Sequence, residues 1–145
     1  MFIIRRFKSD DFFQVLKLVY VTLPEQYNPH IFIQTYETFP NAFWIAEKKS
    51  KIIGFILGAK TYDETAMILI FNVVKEYQRM GIGSLLLRRF LREMTLCNIK
   101  KVELQVRVDN MRALNFYKKH GFNISEALTG FYQNKYDGYV MVKIL

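Results

Sequence analysis

Between residues 73 and 87 the chain reads Val73-Val74-Lys75-Glu76-Tyr77-Gln78-Arg79-Met80-Gly81-Ile82-Gly83-Ser84-Leu85-Leu86-Leu87. An apolar strand ends at Val74, a short loop with two glycines follows, and a helical run begins at once. The first N–H groups of a helix have no partner inside it and carry the positive end of its dipole. Gly81 and Gly83 lack a Cβ, so a ligand can approach this backbone closely. The pattern predicts a cradle for an anion, for which a pyrophosphate is a good candidate.

Two other phosphate-binding motifs do not fit this loop. The dinucleotide fingerprint needs three spaced glycines, and the Walker A loop needs a lysine before its Ser or Thr, whereas Ser84 follows Gly83 directly. From the loop alone an alternative stays open, in which the two glycines only form a tight turn into a core helix.

Composition indicates one folded domain over residues 1–145. The chain is 51% hydrophobic and 16% aromatic, which disfavours disorder. The apolar run from Ala66 to Val74 is too short to span a bilayer. Cys97 is the only cysteine, His30 and His120 are the only histidines, and no metal-ligand spacing occurs. We therefore expect a cytoplasmic, metal-free protein without a membrane partner. The net charge of +8 suggests a phosphorylated or polyanionic ligand.

Periodicity predicts alternating strands and helices. Strands are expected at 2–6, 41–47, 52–61 and 66–74, with a polar hairpin turn at 48–51 and helices from Ser9 to about Tyr20 and over 29–38. The helix after Gly83 should bury Leu86, Phe90, Met94 and Cys97. Val102, Leu104, Val106 and Val108 alternate with polar residues, which predicts a half-buried strand over 101–109. Asp109-Asn110 then caps a helix that ends in Lys118-Lys119-His120-Gly121, where His120 is interpreted as a helix-end cation or C-cap neighbour.

Four segments carry a resemblance to a known family. The sequence Gln78-Arg79-Met80-Gly81-Ile82-Gly83 after an apolar strand resembles the acetyl-CoA loop of the GNAT N-acetyltransferase superfamily. Residues 107–122 resemble its Asn-x-x-Ala-x-x-x-Tyr-x-x-x-Gly-Phe segment. The loop at 23–27 is similar to the Leu-Pro-Glu-Asn-Tyr loop of N-terminal protein acetyltransferases, with Gln26 in place of Asn, and the tail at 130–141 looks like that of the RimI and archaeal enzymes.

This resemblance implies an α/β (α+β) GNAT fold. About seven strands would form a mixed central sheet, splayed in the middle and flanked by about four helices. Acetyl-CoA would be the co-substrate, its pantetheine arm lying in the gap and pairing with the backbone near Phe71 and Val73. The residues expected to bind it are Phe71, Val73, Gln78, Arg79, Met80, Gly81, Ile82, Gly83, Ser84, Asn110 and Tyr117.

The resemblance also implies catalytic and substrate-binding residues. Tyr117 would protonate the departing thiolate, although a structural tyrosine in the core is the competing interpretation. Glu25 would either accept the amine proton or only orient the peptide. Tyr27, Phe131 and Tyr132 are candidates for the peptide groove, together with Glu25. Gln105 departs from the family, because relatives carry glutamate or histidine there and glutamine cannot accept a proton.

The function that these motifs imply is transfer of an acetyl group to the α-amino group of protein or peptide N-termini, by direct attack in a ternary complex. The alternatives are acetylation of a small amine, such as a polyamine or antibiotic, and a CoA-binding regulatory module without a catalytic base. A nucleic-acid-binding domain ranks last, since no recognition motif accompanies the positive charge. The active form would be a monomer or a homodimer.

Overall fold

The computed structural model describes residues 1–22, 28–129 and 137–145. Within these ranges seven strands form one sheet in the order β1-β2-β3-β4-β5-β7-β6. The strands are β1 (Ile3–Arg6), β2 (Phe43–Lys48), β3 (Lys51–Tyr62), β4 (Thr65–Val73), β5 (Lys101–Arg107), β6 (Asn123–Leu128) and β7 (Gly138–Ile144). The helices are α1 (Phe12–Thr22), α2 (His30–Thr38), α3 (Ile82–Leu96) and α4 (Met111–Lys119). The predicted mixed sheet with four helices is confirmed.

Strands β2 to β4 form an antiparallel meander closed by tight turns, and β1 pairs antiparallel with β2 although α1 and α2 lie between them in the chain. Lys49 and Ser50 join β2 to β3 with φ of 49° and 64°, and Glu64 has a φ of 61° in the turn before β4. A two-residue turn with positive φ at both positions matches the twist of the flanking strands. The polar hairpin predicted at 48–51 is confirmed.

The sheet opens between β4 and β5. These parallel strands pair only at the three positions Thr65–Met67, opposite Lys101–Glu103, whereas β5 pairs with β7 along its whole length. β4 also carries an extra residue, since Ile68 and Ile70 face consecutive residues of β3 and Leu69 has no partner there. A bulge of this kind bends the strand that carries it. The gap that the family resemblance implied is therefore present.

Two apolar cores cover the two faces of the sheet. On one face α3 packs Leu86, Phe90 and Met94 against the strands, and on the other α1 and α2 pack Val15 and Phe32. The bulge at Leu69 changes the face to which β4 residues belong: Ala66 and Ile68 lie in the α3 core, Ile70 in the α1–α2 core, and Phe71 and Val73 pack on the α3 side again. The last residues of β4 thus face α3 and α4.

Candidate active site

A cleft of about 710 Å³ lies where the end of β4, the loop after it, the start of α3 and one face of α4 meet. Most of the residues predicted to bind the cofactor are brought together here. Those that line the cleft are Phe71, Val73, Gln78, Arg79, Gly81, Gly83, Ser84, Asn110 and Tyr117. They come from three parts of the chain, so the motifs at 71–84 and 110–117 form one site.

Two predicted cofactor residues do not line the cleft with their side chains. Met80 is 60% exposed, and Ile82 is 1% exposed because it packs in the core beneath α3. Ile82 can therefore offer a ligand only its backbone N–H group.

The edge of β4 presents backbone groups to the gap, among which the Val73 carbonyl already accepts a hydrogen bond from Gln78. Val74 N donates to Ile53 O at 2.8 Å, and the antiparallel register pairs Val73 with Gly54 and Phe71 with Ile56. Bonding to an antiparallel neighbour alternates along a strand, so Phe71 and Val73 direct their N–H and C=O groups away from β3. The β5 side, toward which they point, has already parted. An extended polar chain can pair there as an added strand.

The glycine loop presents the other set of backbone donors. Arg79 and Gly81 have φ of 64° and 82°, and α3 begins directly after Gly81, whose carbonyl accepts the bond from Leu85 N at 3.1 Å. The N–H groups of the first turn are left without intrahelical partners. A Cβ at Gly83 would lie 3.7 Å from the Phe116 ring and 3.9 Å from the Phe71 ring. The missing methyl group therefore keeps open the space between these rings.

Gln78 uses its side chain to connect two walls of the cleft. Its Nε2 donates to the Val73 carbonyl at 2.8 Å, and its Oε1 accepts from Arg112 Nη1 at 3.0 Å. The side chain thereby links the end of β4 to α4 and holds the shape of the cleft.

α4 positions Tyr117. Asn110 caps the helix through its Oδ1, which accepts from Ala113 N at 3.1 Å, as the sequence predicted. The Tyr117 ring lies between those of Phe116 and Phe122, with centroid distances of 5.3 and 5.6 Å. These aromatic neighbours restrain the ring, and Tyr117 is among the residues that line the cleft.

His120 occupies the C-cap position of α4, which agrees with the second of the two interpretations made from the sequence, a helix-end cation or a C-cap neighbour. Burial lowers its pKa, and the charges of Arg88, Lys119 and Lys143 lower the pKa further. Its Nε2 lies 3.0 Å from Ser84 Oγ. Sequence reasoning missed this contact, which joins the end of α4 to the start of α3.

Further lining residues on α4 escaped the sequence prediction. Arg112, Asn115 and Lys119 line the cleft at spacings of three and four along the helix. That spacing places them on one face, which is a signal present in the sequence. Arg112 and Lys119, together with Arg79, make the cleft positive and suited to a phosphorylated ligand.

The remaining predicted site residues lie elsewhere. Glu25, Tyr27, Phe131 and Tyr132 are outside the described residues. Gln105 is half-buried on β5, opposite Val140 of β7. Among residues 1–22, 28–129 and 137–145, no group of three or more His, Cys, Asp or Glu side chains could hold a metal ion. In the same ranges, every helix is too short or too polar to cross a membrane.

The glycine loop and the parted sheet form the kind of cleft that the family resemblance implied, and comparison with known proteins identifies the class. The model of the GNAT acetyltransferase family matches residues 10–122. The chain belongs to this family and is an acetyl-CoA-dependent N-acetyltransferase, which confirms the recognition made from its motifs.

Individual relatives lie within the same family. The N-alpha-acetyltransferase of Sulfurisphaera tokodaii is 30% identical over 150 residues, covering 95% of this chain and 90% of the relative. The crystal structure of Ard1 from Thermoplasma volcanium is 33% identical with a TM-score of 0.93, covering 99% of this chain and 97% of that one. Chaetomium thermophilum Naa20, solved with a bisubstrate analogue, is 27% identical with a TM-score of 0.87, covering 99% and 86%.

Proposed function

We propose that this chain is an N-α-acetyltransferase that transfers the acetyl group of acetyl-CoA to the α-amine of protein N-termini. The observation that carries the proposal is the parting of β4 from β5 directly beside the glycine loop, with Tyr117 at the edge of the same cleft. The relatives named as N-α-acetyltransferases support the choice of acceptor.

The cleft fits the parts of acetyl-CoA in order. Arg79 and the backbone of Gly81, Gly83 and Ser84 would hold the diphosphate, since unpaired N–H groups at a helix start bind phosphate. The gap-facing amides of Phe71 and Val73 would pair with the pantetheine arm. Asn110 would contribute as the residue that fixes the start of α4 at the rim of the cleft.

The chemistry needs one proton removed and one supplied. Attack of the amine nitrogen on the thioester carbonyl forms the C–N bond and breaks the C–S bond, so the nitrogen loses a proton and the sulfur gains one. Tyr117 would supply the proton to sulfur, and Glu25 would take the one from nitrogen. An α-amine has a reference pKa of about 7.7–8.0, against about 10.4 for lysine, so about a tenth or more of the α-amine is already neutral near pH 7, compared with a very small fraction of a lysine amine. A modest base is therefore sufficient for this acceptor.

Kinetics of a Glu25 variant can distinguish a carboxylate that accepts the proton from one that only orients the peptide. Tyr27, Phe131 and Tyr132 would form the peptide groove together with Glu25. Glu25→Gln should lower kcat by about 10²-fold if the carboxylate accepts the proton, because general-base catalysis contributes roughly that factor. A variant that mainly raises KM would show that Glu25 orients the peptide and does not carry the proton. Steady-state kinetics over several peptide concentrations distinguishes the two.

A panel of acceptors tests the proposed substrate class. Each peptide would be presented in two forms, one with a free α-amine and one with a blocked N-terminus and an internal lysine, beside spermidine as a small polyamine. Tandem mass spectrometry would locate the acetyl group. We expect transfer to the free α-amine and little to the other acceptors; transfer to spermidine alone would contradict the proposal.

A further inference from the structure

The Ser84–His120 pair connects the cleft to a half-buried imidazole. Ser84 Oγ and His120 Nε2 are 3.0 Å apart, although the two residues are 36 positions apart in the chain. The Phe116 ring packs against the imidazole at a centroid distance of 4.7 Å. Ser84 lines the cleft and His120 does not, so His120 can act on a ligand only through Ser84.

The direction of this hydrogen bond decides what Ser84 can offer. A serine hydroxyl has one proton to donate, and a neutral imidazole has one ring N–H and one acceptor nitrogen. If Nε2 is the acceptor, the hydroxyl donates to His120 and turns only lone pairs toward the cleft. If Nε2 carries the proton, it donates to Ser84 Oγ, and the hydroxyl proton is free to point into the cleft. An anion at the start of α3 needs the second arrangement.

We propose that His120 is the residue that positions the Ser84 hydroxyl as a hydrogen-bond donor to the diphosphate of acetyl-CoA, by donating its own Nε2–H to Ser84 Oγ. The inference rests on the proposed function, because it takes the cleft as the acetyl-CoA site. His120 is a positioning residue here, since its ring lies behind Ser84.

The charges that face His120 make this arrangement responsive to the ligand. Arg88 on α3, Lys119 on α4 and Lys143 on β7 are the charged groups whose fields lower its pKa, in addition to burial. A bound diphosphate brings negative charge beside Ser84 and offsets those three cations. Binding should therefore raise the pKa of His120, and by linkage the protonated form should bind acetyl-CoA more tightly.

The test compares acetyl-CoA binding by wild type, His120→Gln and His120→Phe over pH 5.5–8.5, using calorimetry on the full chain. Gln keeps an N–H donor but does not titrate, and Phe keeps the ring packing without any nitrogen. A one-unit rise in the His120 pKa corresponds to a tenfold change in Kd. We expect wild-type Kd to fall about 3- to 10-fold more than that of His120→Gln as the pH decreases. The 3′-phosphate of CoA also titrates near pH 6, and the comparison with Gln removes that contribution.

NMR provides a readout that a purely structural role would not change. The chain has two histidines, and His30→Gln assigns the signals and serves as the matched control. Adding CoA should shift the His120 Nε2 resonance to that of a protonated nitrogen and leave His30 unchanged. Two results would overturn the inference. One is a wild type that binds acetyl-CoA with the same pH dependence as both His120 variants. The other is a His120 Nε2 that stays unprotonated when CoA is bound. Wild type that does not bind acetyl-CoA would overturn the cofactor assignment itself, a result distinct from these two.

Discussion

Tyr117 is the residue whose hydroxyl the proposed mechanism uses most directly. Tyr117→Phe removes only that oxygen and keeps the ring between Phe116 and Phe122. We expect kcat to fall by about 10²-fold, the usual contribution of a positioned acid, while the Kd for acetyl-CoA stays within about twofold. Steady-state kinetics and calorimetry measure the two quantities separately.

Tyr62→Phe is the matched control for this substitution. Tyr62 is exposed, donates to Glu103 at 2.9 Å and does not line the cleft, so its loss should leave kcat unchanged. Equal turnover of Tyr117→Phe and wild type would remove the acid role and leave Tyr117 as a structural residue.

Gly83 tests whether the space at the start of α3 is needed for ligand or for folding. Gly83→Ala adds a Cβ in ordinary contact with the Phe116 and Phe71 rings, and Ala is the better helix former by up to about 1 kcal/mol. Thermal melting should show an unchanged or higher Tm, whereas the Kd for acetyl-CoA should rise at least about tenfold. Unchanged affinity in a folded variant would show that the ligand does not use this space.

At the scale of elements, an ion network holds β1, the turn before α1 and β2 together. Asp11 is 5% exposed, and its carboxylate accepts from Arg5 Nη1 at 2.8 Å, Arg5 Nη2 at 2.9 Å and Lys8 N at 2.8 Å. Arg5 also donates to Glu47 of β2 at 3.0 Å. Burial alone would raise the pKa of Asp11, but the bonds from Arg5 and Lys8 outweigh it, and the pKa is lowered.

Because the pKa of Asp11 is lowered in the folded chain, the direction in which stability changes with pH can be stated. Asp11 contributes stability above its unfolded pKa of about 3.9, and that contribution is lost as the pH falls through the lower, folded value. Asp11→Asn should cost about 2–4 kcal/mol in the free energy of unfolding at pH 7, since removing one partner leaves Arg5 half-paired in a partly buried place. The difference from wild type should shrink below pH 4.

Urea denaturation at pH 7 and at pH 3 measures this difference. The exposed neighbour Asp10 provides the control, and Asp10→Asn should change stability by less than about 0.5 kcal/mol. A cost for Asp11→Asn that is the same at both pH values would show that the carboxylate charge is not what joins these elements.

Some elements could be predicted because their sequence has one clear period. Val102, Leu104 and Val106 alternate in β5 and are buried as expected, and the glycine loop begins a helix where the pattern placed one. The bulge at Leu69 had no such signal: β4 is apolar almost throughout, so a register shift leaves no mark on its pattern. Arg112 and Lys119 of α4 were not predicted as site residues because the apolar residues of that helix give the clearer helical pattern.

At the scale of the whole molecule, the site depends on contacts between distant parts of the chain. The Ser84–His120 and Gln78–Arg112 hydrogen bonds both join α4 to the region around the glycine loop, and β5 separates these segments in sequence. Sequence motifs identify the glycine loop and the start of α4, because binding phosphate or starting a helix requires particular residues within a short segment. Hydrogen bonds between these distant segments depend on how the segments pack in the folded chain, and the local periodicity of the sequence does not indicate that packing.

The proposed function requires that one acetyl-CoA binds in the cleft between the parted strands and the glycine loop. Isothermal titration calorimetry of the folded chain with acetyl-CoA tests it most directly. We expect a saturable exchange of heat with one site per chain, weakened at least about tenfold by Gly83→Ala, which adds a methyl group to the wall of the cleft. A folded wild-type chain that takes up neither acetyl-CoA nor CoA would contradict it.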